Sequence, residues 1–242
     1  MGGGLLITFE GLERCGKGTQ IALLTDYLRK LSIKHVTGRE PGGTGYGEAA
    51  RRMVQDPWYI TRINKGYEDV GVETLSADYD LTKEGELFLY LLARSMFIEH
   101  KLKPVLAKGS VFIADRFIDS TVAYQGYGNW KADEKSLALI DGLHKHLLSD
   151  ITIHRTYWLD ITVQESMKRK GGGEFGMEKD RIESRAHTYF ERVRNGYEAI
   201  SKDPRVLRID ATQSVEEIAA IIQEDIRSLL YQNGILSTTL TE

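Results

Sequence analysis

Short apolar runs alternate with stripes of apolar residues at three- and four-residue spacing along most of the chain. That is the pattern of a parallel sheet covered by helices. Leu5-Leu6-Ile7-Thr8-Phe9 has no polar face and predicts a strand buried on both sides. A glycine-containing turn follows, and then Ile21, Leu24, Leu28 and Leu31 mark one face of a helix. Ser110–Asp115, Tyr157–Asp160 and Val206–Asp210 read as three more strands, and His35-Val36-Thr37 as a fifth, short one. Glu84–Leu106 and Val215–Leu230 read as helices. Two segments break the rhythm. Gln55–Glu86 is polar, locally acidic and aperiodic, and is expected to form an excursion beside the main body. Lys168–Arg181 is glycine-rich and mixed in charge, and is expected to form a mobile lid between two helices. With no internal repeat and no dividing linker, residues 1–242 read as one α/β domain with a polar tail at about 232–242.

Composition narrows the class. The 242 residues carry 32 basic and 35 acidic side chains, a net of −3, which lacks the strongly basic face of a general nucleic-acid binder. Four prolines among 24 glycines exclude collagen-like and disordered classes. The single Cys15 excludes an intramolecular disulfide framework and a cysteine-built zinc site, and fits a reducing cytoplasm. No stretch reaches the roughly 18 apolar residues of a membrane span, and the glycine-rich start lacks the features of a secretory signal. A soluble, cytoplasmic protein is expected.

Candidate chemistry begins at the first turn. Gly11-Leu12-Glu13-Arg14-Cys15-Gly16-Lys17 fits the G-x-x-x-x-G-K phosphate-loop pattern, and it lies between the expected strand and helix. Glycines let the backbone curl so that N–H groups face inward, and the helix dipole adds to their pull on a phosphate. Lys17 would reach the β- and γ-phosphates of a nucleotide. The residue after Lys17 should carry a hydroxyl for magnesium, but Gly18 stands there and Thr19-Gln20 follow. That Lys-Gly-Thr-Gln order looks like adenylate kinases, where magnesium is held mainly through water and phosphate oxygens.

Other segments resemble the thymidylate kinase family more specifically. Phe9-Glu10-Gly11-Leu12-Glu13-Arg14, Arg39-Glu40-Pro41-Gly42-Gly43-Thr44, and Asp115-Arg116-Phe117-Ile118-Asp119-Ser120-Thr121-Val122-Ala123-Tyr124-Gln125-Gly126 each look like motifs of that family. Weaker likeness continues through Tyr157–Asp160 and Asp180–Glu183, so the resemblance covers about Leu5 to Asp210. It implies a P-loop nucleoside monophosphate kinase fold, a five-stranded parallel sheet with a lid, and transfer of phosphate from ATP to dTMP with Mg²⁺. By the same resemblance, Gly11–Gln20 with Arg169 and Arg181 would hold ATP, and Glu13, Arg14, Lys17 and Arg116 would be catalytic. Arg39, Glu40, Pro41, Tyr90, Arg94, Arg116, Thr121, Tyr124 and Gln125 would hold dTMP, and a homodimer is implied.

Several of these positions also have a physical reading. Arg116 directly follows a buried strand, at the edge where open α/β sheets place ligands. Asp115 ends that strand and would organise magnesium through water and orient Arg116, or simply cap a turn. Tyr90 and Arg94 are four apart and share a helix face, as a ring and guanidinium meeting a base would, or as a core residue beside an ion-pair partner. Whether Arg14 or the cations Lys168, Arg169, Lys170 and Arg181 act on the transferred phosphoryl group stays open. The six histidines show no metal-ligand spacing, and His144 and His146 fall on different helix faces, so satisfied core or surface roles are expected. A different monophosphate kinase, or a non-catalytic nucleotide-binding module, is the alternative.

Overall fold

The computed structural model describes residues 3–56, 59, 63, 81–170, 182 and 185–236. Five strands, β1 (Leu6–Glu10), β2 (His35–Arg39), β3 (Val111–Asp115), β4 (Arg155–Asp160) and β5 (Val206–Asp210), form one sheet in the order β2-β3-β1-β4-β5. Every neighbouring pair is parallel. β1 is central and buried along its whole length, as its unbroken apolar run predicts. β2 is an edge strand with partly exposed residues, which explains why its sequence signal is weak.

Helices α1 (Lys17–Lys30), α2 (Gly45–Gln55), α3 (Lys83–Phe97), α4 (Ile118–Thr121), α5 (Glu134–Leu147), α6 (Val163–Lys170), α7 (His187–Ile200) and α8 (Val215–Gln232) connect and flank these strands. The helix read over Glu84–Leu106 is α3 followed by a π-helical turn, Ile98–Leu102, and a last α-turn, Lys103–Leu106. α4 runs on as a wider π-helical stretch, Val122–Asn129. A capping box between Ser214 and Glu217 starts α8.

Alternate residues of β1, with Leu5 just before it, serve opposite layers. Leu5, Ile7 and Phe9 pack with Leu24 and Leu28 of α1 and with Ile218, Ile222 and Ile226 of α8. Leu6 instead packs with Phe112, Phe97, Leu102 and Phe117. Ile21 and Leu31, the outer members of the α1 stripe, are half-buried against the first of these layers. α7 lies against Val122–Asn129, and the approach depends on Gly196, where a Cβ would come 2.8 Å from Ala123 Cα. That contact fixes the stretch carrying Tyr124 and Gln125.

Two expected boundaries change. Gln55 closes α2 and Lys83–Glu86 open α3, so the excursion is narrower than its polarity suggests, and residues 64–80 lie outside the described residues. Lys168, Arg169 and Lys170 are the last turn of α6 rather than loop, with Arg169 paired to Glu165 one turn earlier. Residues 171–181 and 237–242 lie outside the described residues. Parallel pairing sets Phe9 opposite Asp115, so the loops that follow β1 and β3 emerge side by side.

Candidate active site

The turn after β1 takes a conformation that its residue types permit. Gly11 has φ +137° and Gly16 φ +101°, while Arg14 adopts the left-handed region at φ +58°. At Gly11 a Cβ would meet Leu159 O at 2.5 Å, so only glycine fits against β4. Gly16 then opens α1 with no side-chain cap, leaving the first N–H groups of the helix directed into the loop. Lys17 is buried and folds back on this turn, donating to Leu12 O at 3.0 Å.

Arg116 joins this turn to the one after β3. Its backbone N–H donates to Phe9 O at 3.0 Å, and it stands at φ +68°, a conformation that costs a side-chain-bearing residue energy and that clusters at working sites. Its guanidinium donates to Gly11 O at 2.9 Å and Glu13 Oε1 at 2.6 Å, and lies 5.1 Å over the Tyr124 ring. Burial alone would push the Glu13 carboxyl up. Arg116, Lys17, the Tyr124 hydroxyl and Arg51 together outweigh it and hold the group below its ordinary value.

Behind Arg116 sits Glu10, fully buried at the end of β1. It accepts from Phe117 N at 2.7 Å, Ser120 Oγ at 2.6 Å and Tyr197 OH at 3.0 Å, pinning the turn after β3. Burial raises its carboxyl to about 7, with Asp119 acting in the same direction and Arg116 opposing.

The far wall is built around Arg94, which is 2% exposed. It donates to Glu40 Oε2 at 2.7 Å, Thr121 Oγ1 at 2.7 Å, His144 Nε2 at 2.9 Å and Phe117 O at 3.0 Å. Arginine can only donate, so His144 accepts through Nε2 and carries its proton on Nδ1. Burial, aided by Arg94, drives His144 down to about 2, which keeps it neutral and accepting. Glu40 Oε1 and Asp115 Oδ1 are buried with no hydrogen-bond partner among the described residues.

A cleft of about 270 Å³ brings these walls together. Of the expected residues, Glu13, Lys17, Arg39, Glu40, Pro41, Tyr90, Arg94, Asp115, Arg116, Thr121, Tyr124 and Gln125 all line it. Arg39 is engaged by Glu48 at 3.1 Å on the open side. Arg14 is exposed on the loop and reaches Arg169 O at 3.4 Å, while Ser166 Oγ donates to Glu13 O at 2.7 Å, tying α6 to the phosphate turn. Arg169 itself points away, to Glu165 and to Ala211 O at 2.9 Å. Cys15 is buried core, and Gly18 and Thr19 are exposed on the first turn of α1. Gln20 turns to Val215 O at 3.0 Å, and Arg181 lies outside the described residues. Asp115 does not orient Arg116 through its side chain, since the partners of Arg116 come from Gly11, Glu13, Ser120, Tyr124 and Tyr197.

Residue patterns also pass over Glu10, Arg51, Ser120, His144 and Ile182 as members of this site. Arg51 of α2 lines the cleft and donates to Pro41 O at 3.2 Å. Its only sequence signal is its place beside the buried Ala50 and Val54 on α2.

Comparison with known proteins points one way. A sequence profile described as thymidylate kinase matches residues 9–63 and 71–222. A thymidylate kinase of Nostoc punctiforme is 36% identical over 227 residues, covering 93% of this chain and 96% of that protein. One from Kosmotoga olearia is 36% identical over 216 residues, covering 88% and 91%. Among solved structures, the thymidylate kinase of Ehrlichia chaffeensis aligns with a TM-score of 0.64 at 27% identity, covering 93% of this chain and 99% of that one.

The raised carboxyl of Glu10 has a consequence for stability. The native state binds this proton more tightly than the unfolded chain, whose value is near 4.5. The associated stabilisation is therefore complete below that value and is lost as pH rises through about 7. Glu10→Gln imitates the protonated form at every pH. The melting temperature of the wild type, relative to this variant, should fall between pH 5 and pH 8; a difference independent of pH would contradict the reading.

Proposed function

This chain belongs to the thymidylate kinase family and converts dTMP to dTDP with ATP, and we propose that it does so by clamping both nucleotides around Arg116. The observation that carries this reading is the joining of the phosphate turn to the cleft wall by one guanidinium that donates to Gly11 O and Glu13.

The turn Gly11–Gln20 would take the ATP phosphates on its N–H groups, and Lys17 would exchange Leu12 O for the β- and γ-phosphates. Arg116, with Arg39 and Arg51 beside it, would hold the phosphate of dTMP in line. Phosphoryl transfer asks the protein mainly for position and charge, and the cleft is lined with groups already held in place. Tyr90 offers a ring face, and Thr121, Tyr124 and Gln125 offer polar groups, to thymidine. Asp115 Oδ1, without a hydrogen-bond partner among the described residues, and the hard oxygen character of that carboxylate fit magnesium, held directly or through water. When bound, Mg²⁺ would neutralise charge on the transferring phosphates. Residues 1–242 act as a single kinase domain. The near-balanced charge and lone cysteine support a cytoplasmic enzyme of dTTP synthesis that binds no nucleic acid.

A homodimer accounts for a second feature. Phe88 (57% exposed) and Leu92 (44%) lie one turn apart on α3, with Tyr46 and Met53 exposed on the neighbouring α2. Light scattering should give twice the chain mass at micromolar concentration, and Phe88→Glu should lower it towards one chain. A wild-type monomer would contradict the dimer.

Turnover in a coupled assay with dTMP, dUMP, AMP and CMP tests the function itself. We expect dTMP to be phosphorylated best, and Arg14→Ala to lower kcat by about 10³-fold with the KM for dTMP little changed. Arg169→Ala should do less, because Arg169 is committed to Glu165 and Ala211. Turnover of none of the four would leave a binding module, and a silent Arg14→Ala beside an inactive Arg169→Ala would move the catalytic cation to the end of α6.

A further inference from the structure

Outside the groups already assigned, the least expected cluster is a buried ion pair behind Gln125. Glu86, on the first turn of α3, is 1% exposed. It accepts from Gln125 Nε2 at 2.9 Å and Asn129 Nδ2 at 2.8 Å, and is paired with Arg185. Arg185 is itself fixed: it donates to Asn129 Oδ1 at 2.9 Å and to the Tyr189 hydroxyl, and lies 4.6 Å over the Tyr189 ring. The Tyr189 hydroxyl donates in turn to Tyr124 O at 3.0 Å, within the stretch that carries Gln125.

This arrangement decides which way round the Gln125 amide sits. A carboxylate paired with a guanidinium accepts and cannot donate, so the NH₂ of Gln125 must face Glu86. Asn129 corroborates the direction, because its NH₂ faces Glu86 while its oxygen accepts from Arg185. What remains of Gln125 for the cleft is Oε1, an acceptor that takes no protein donor among the described residues. Arg94, which lines the same cleft and bonds Thr121 one turn before Gln125, presents the opposite polarity. Four of its five N–H groups are used by Glu40, Thr121, His144 and Phe117, leaving one Nη2–H.

We propose that the Glu86–Arg185 pair is a specificity-determining positioning device: it locks Gln125 as an acceptor, so the cleft selects a pyrimidine whose edge offers an N–H beside a carbonyl over one offering a ring nitrogen acceptor beside an amino group. The inference rests on the dTMP reading above. Thymine has the first pattern, with N3–H and O4, and cytosine has the second. With the amide locked, cytosine would set acceptor against acceptor at Gln125 and donor against donor at Arg94. Buried polar groups left unmatched in this way are the basis of strong discrimination.

The test measures kcat and KM for dTMP and dCMP in the wild type, Glu86→Gln, Gln125→Leu and the double variant. Glu86→Gln can donate as well as accept, so it frees the Gln125 amide to turn. The expected result is a fall of at least about tenfold in the dTMP to dCMP ratio of kcat/KM, arising in the KM for dTMP with kcat nearly unchanged. In the Gln125→Leu background, Glu86→Gln should change that ratio no further. Should Glu86→Gln fail to fold, Glu86→Met, which removes the acceptor while leaving the partly exposed Arg185 at the surface side, carries the same expectation. An unchanged ratio in a folded variant, effects that add in the double variant, or loss in kcat alone would overturn the positioning role. A wild type that uses dCMP as well as dTMP would overturn the base-reading premise beneath it as well.

Discussion

One guanidinium holds the two halves of the cleft in register. β1 and β3 are adjacent parallel strands, so their turns emerge together, but adjacency alone does not fix the turns relative to each other. Arg116 does so by bonding Gly11 O and Glu13 in the first turn from a left-handed backbone position in the second. Glu10 supports it from below by accepting from Phe117 N and Ser120 Oγ. Lost hydration of a buried guanidinium must be repaid by such contacts, and removing any one leaves the rest mispaired. The strain at φ +68° is thus over-determined by surrounding hydrogen bonds, as expected where geometry serves a reaction.

The same logic recurs around the cleft. Arg94 has Glu40, Arg116 has Glu13, Arg185 has Glu86 and Arg39 has Glu48. The buried members of this set resemble a frame. The side chains of Arg94 and Glu40 are each 3% exposed, so their separation from water makes a broken pair costly and a formed one rigid. Arg39 and Glu48, about half exposed, are screened and free to rearrange. Rigid cations within the cleft and looser ones at its open side suit a site that must hold one nucleotide firmly and still admit and release it.

Local order in the chain reveals much of this and omits what lies across it. β1, β3 and the turn after β1 are legible because an apolar run ending in glycine has few structural alternatives. Arg116 is legible because a charge directly after a buried strand emerges at the sheet edge. The pair Arg94–Glu40 spans 54 positions, and neither residue signals the other. His144 reads as an ordinary core or surface histidine, and its role as acceptor for Arg94 follows only from the packing of α5 on α3. Arg185 lies in no motif, and it matters only because Glu86, 99 positions earlier, is brought beneath it. β2 is faint for a different reason: an edge strand needs no continuous apolar face.

The proposed clamp requires Arg116 to act by fixed geometry and not by charge alone. Calorimetric affinities for dTMP and for thymidine, in the wild type and in Arg116→Lys, test it most directly. Lysine keeps the charge but cannot join Gly11 O to Glu13 with a planar fork. With a geometric clamp, the affinity gained from the phosphate, dTMP over thymidine, shrinks at least about tenfold in Arg116→Lys. An undiminished advantage would show that any cation at this position suffices, and would contradict it.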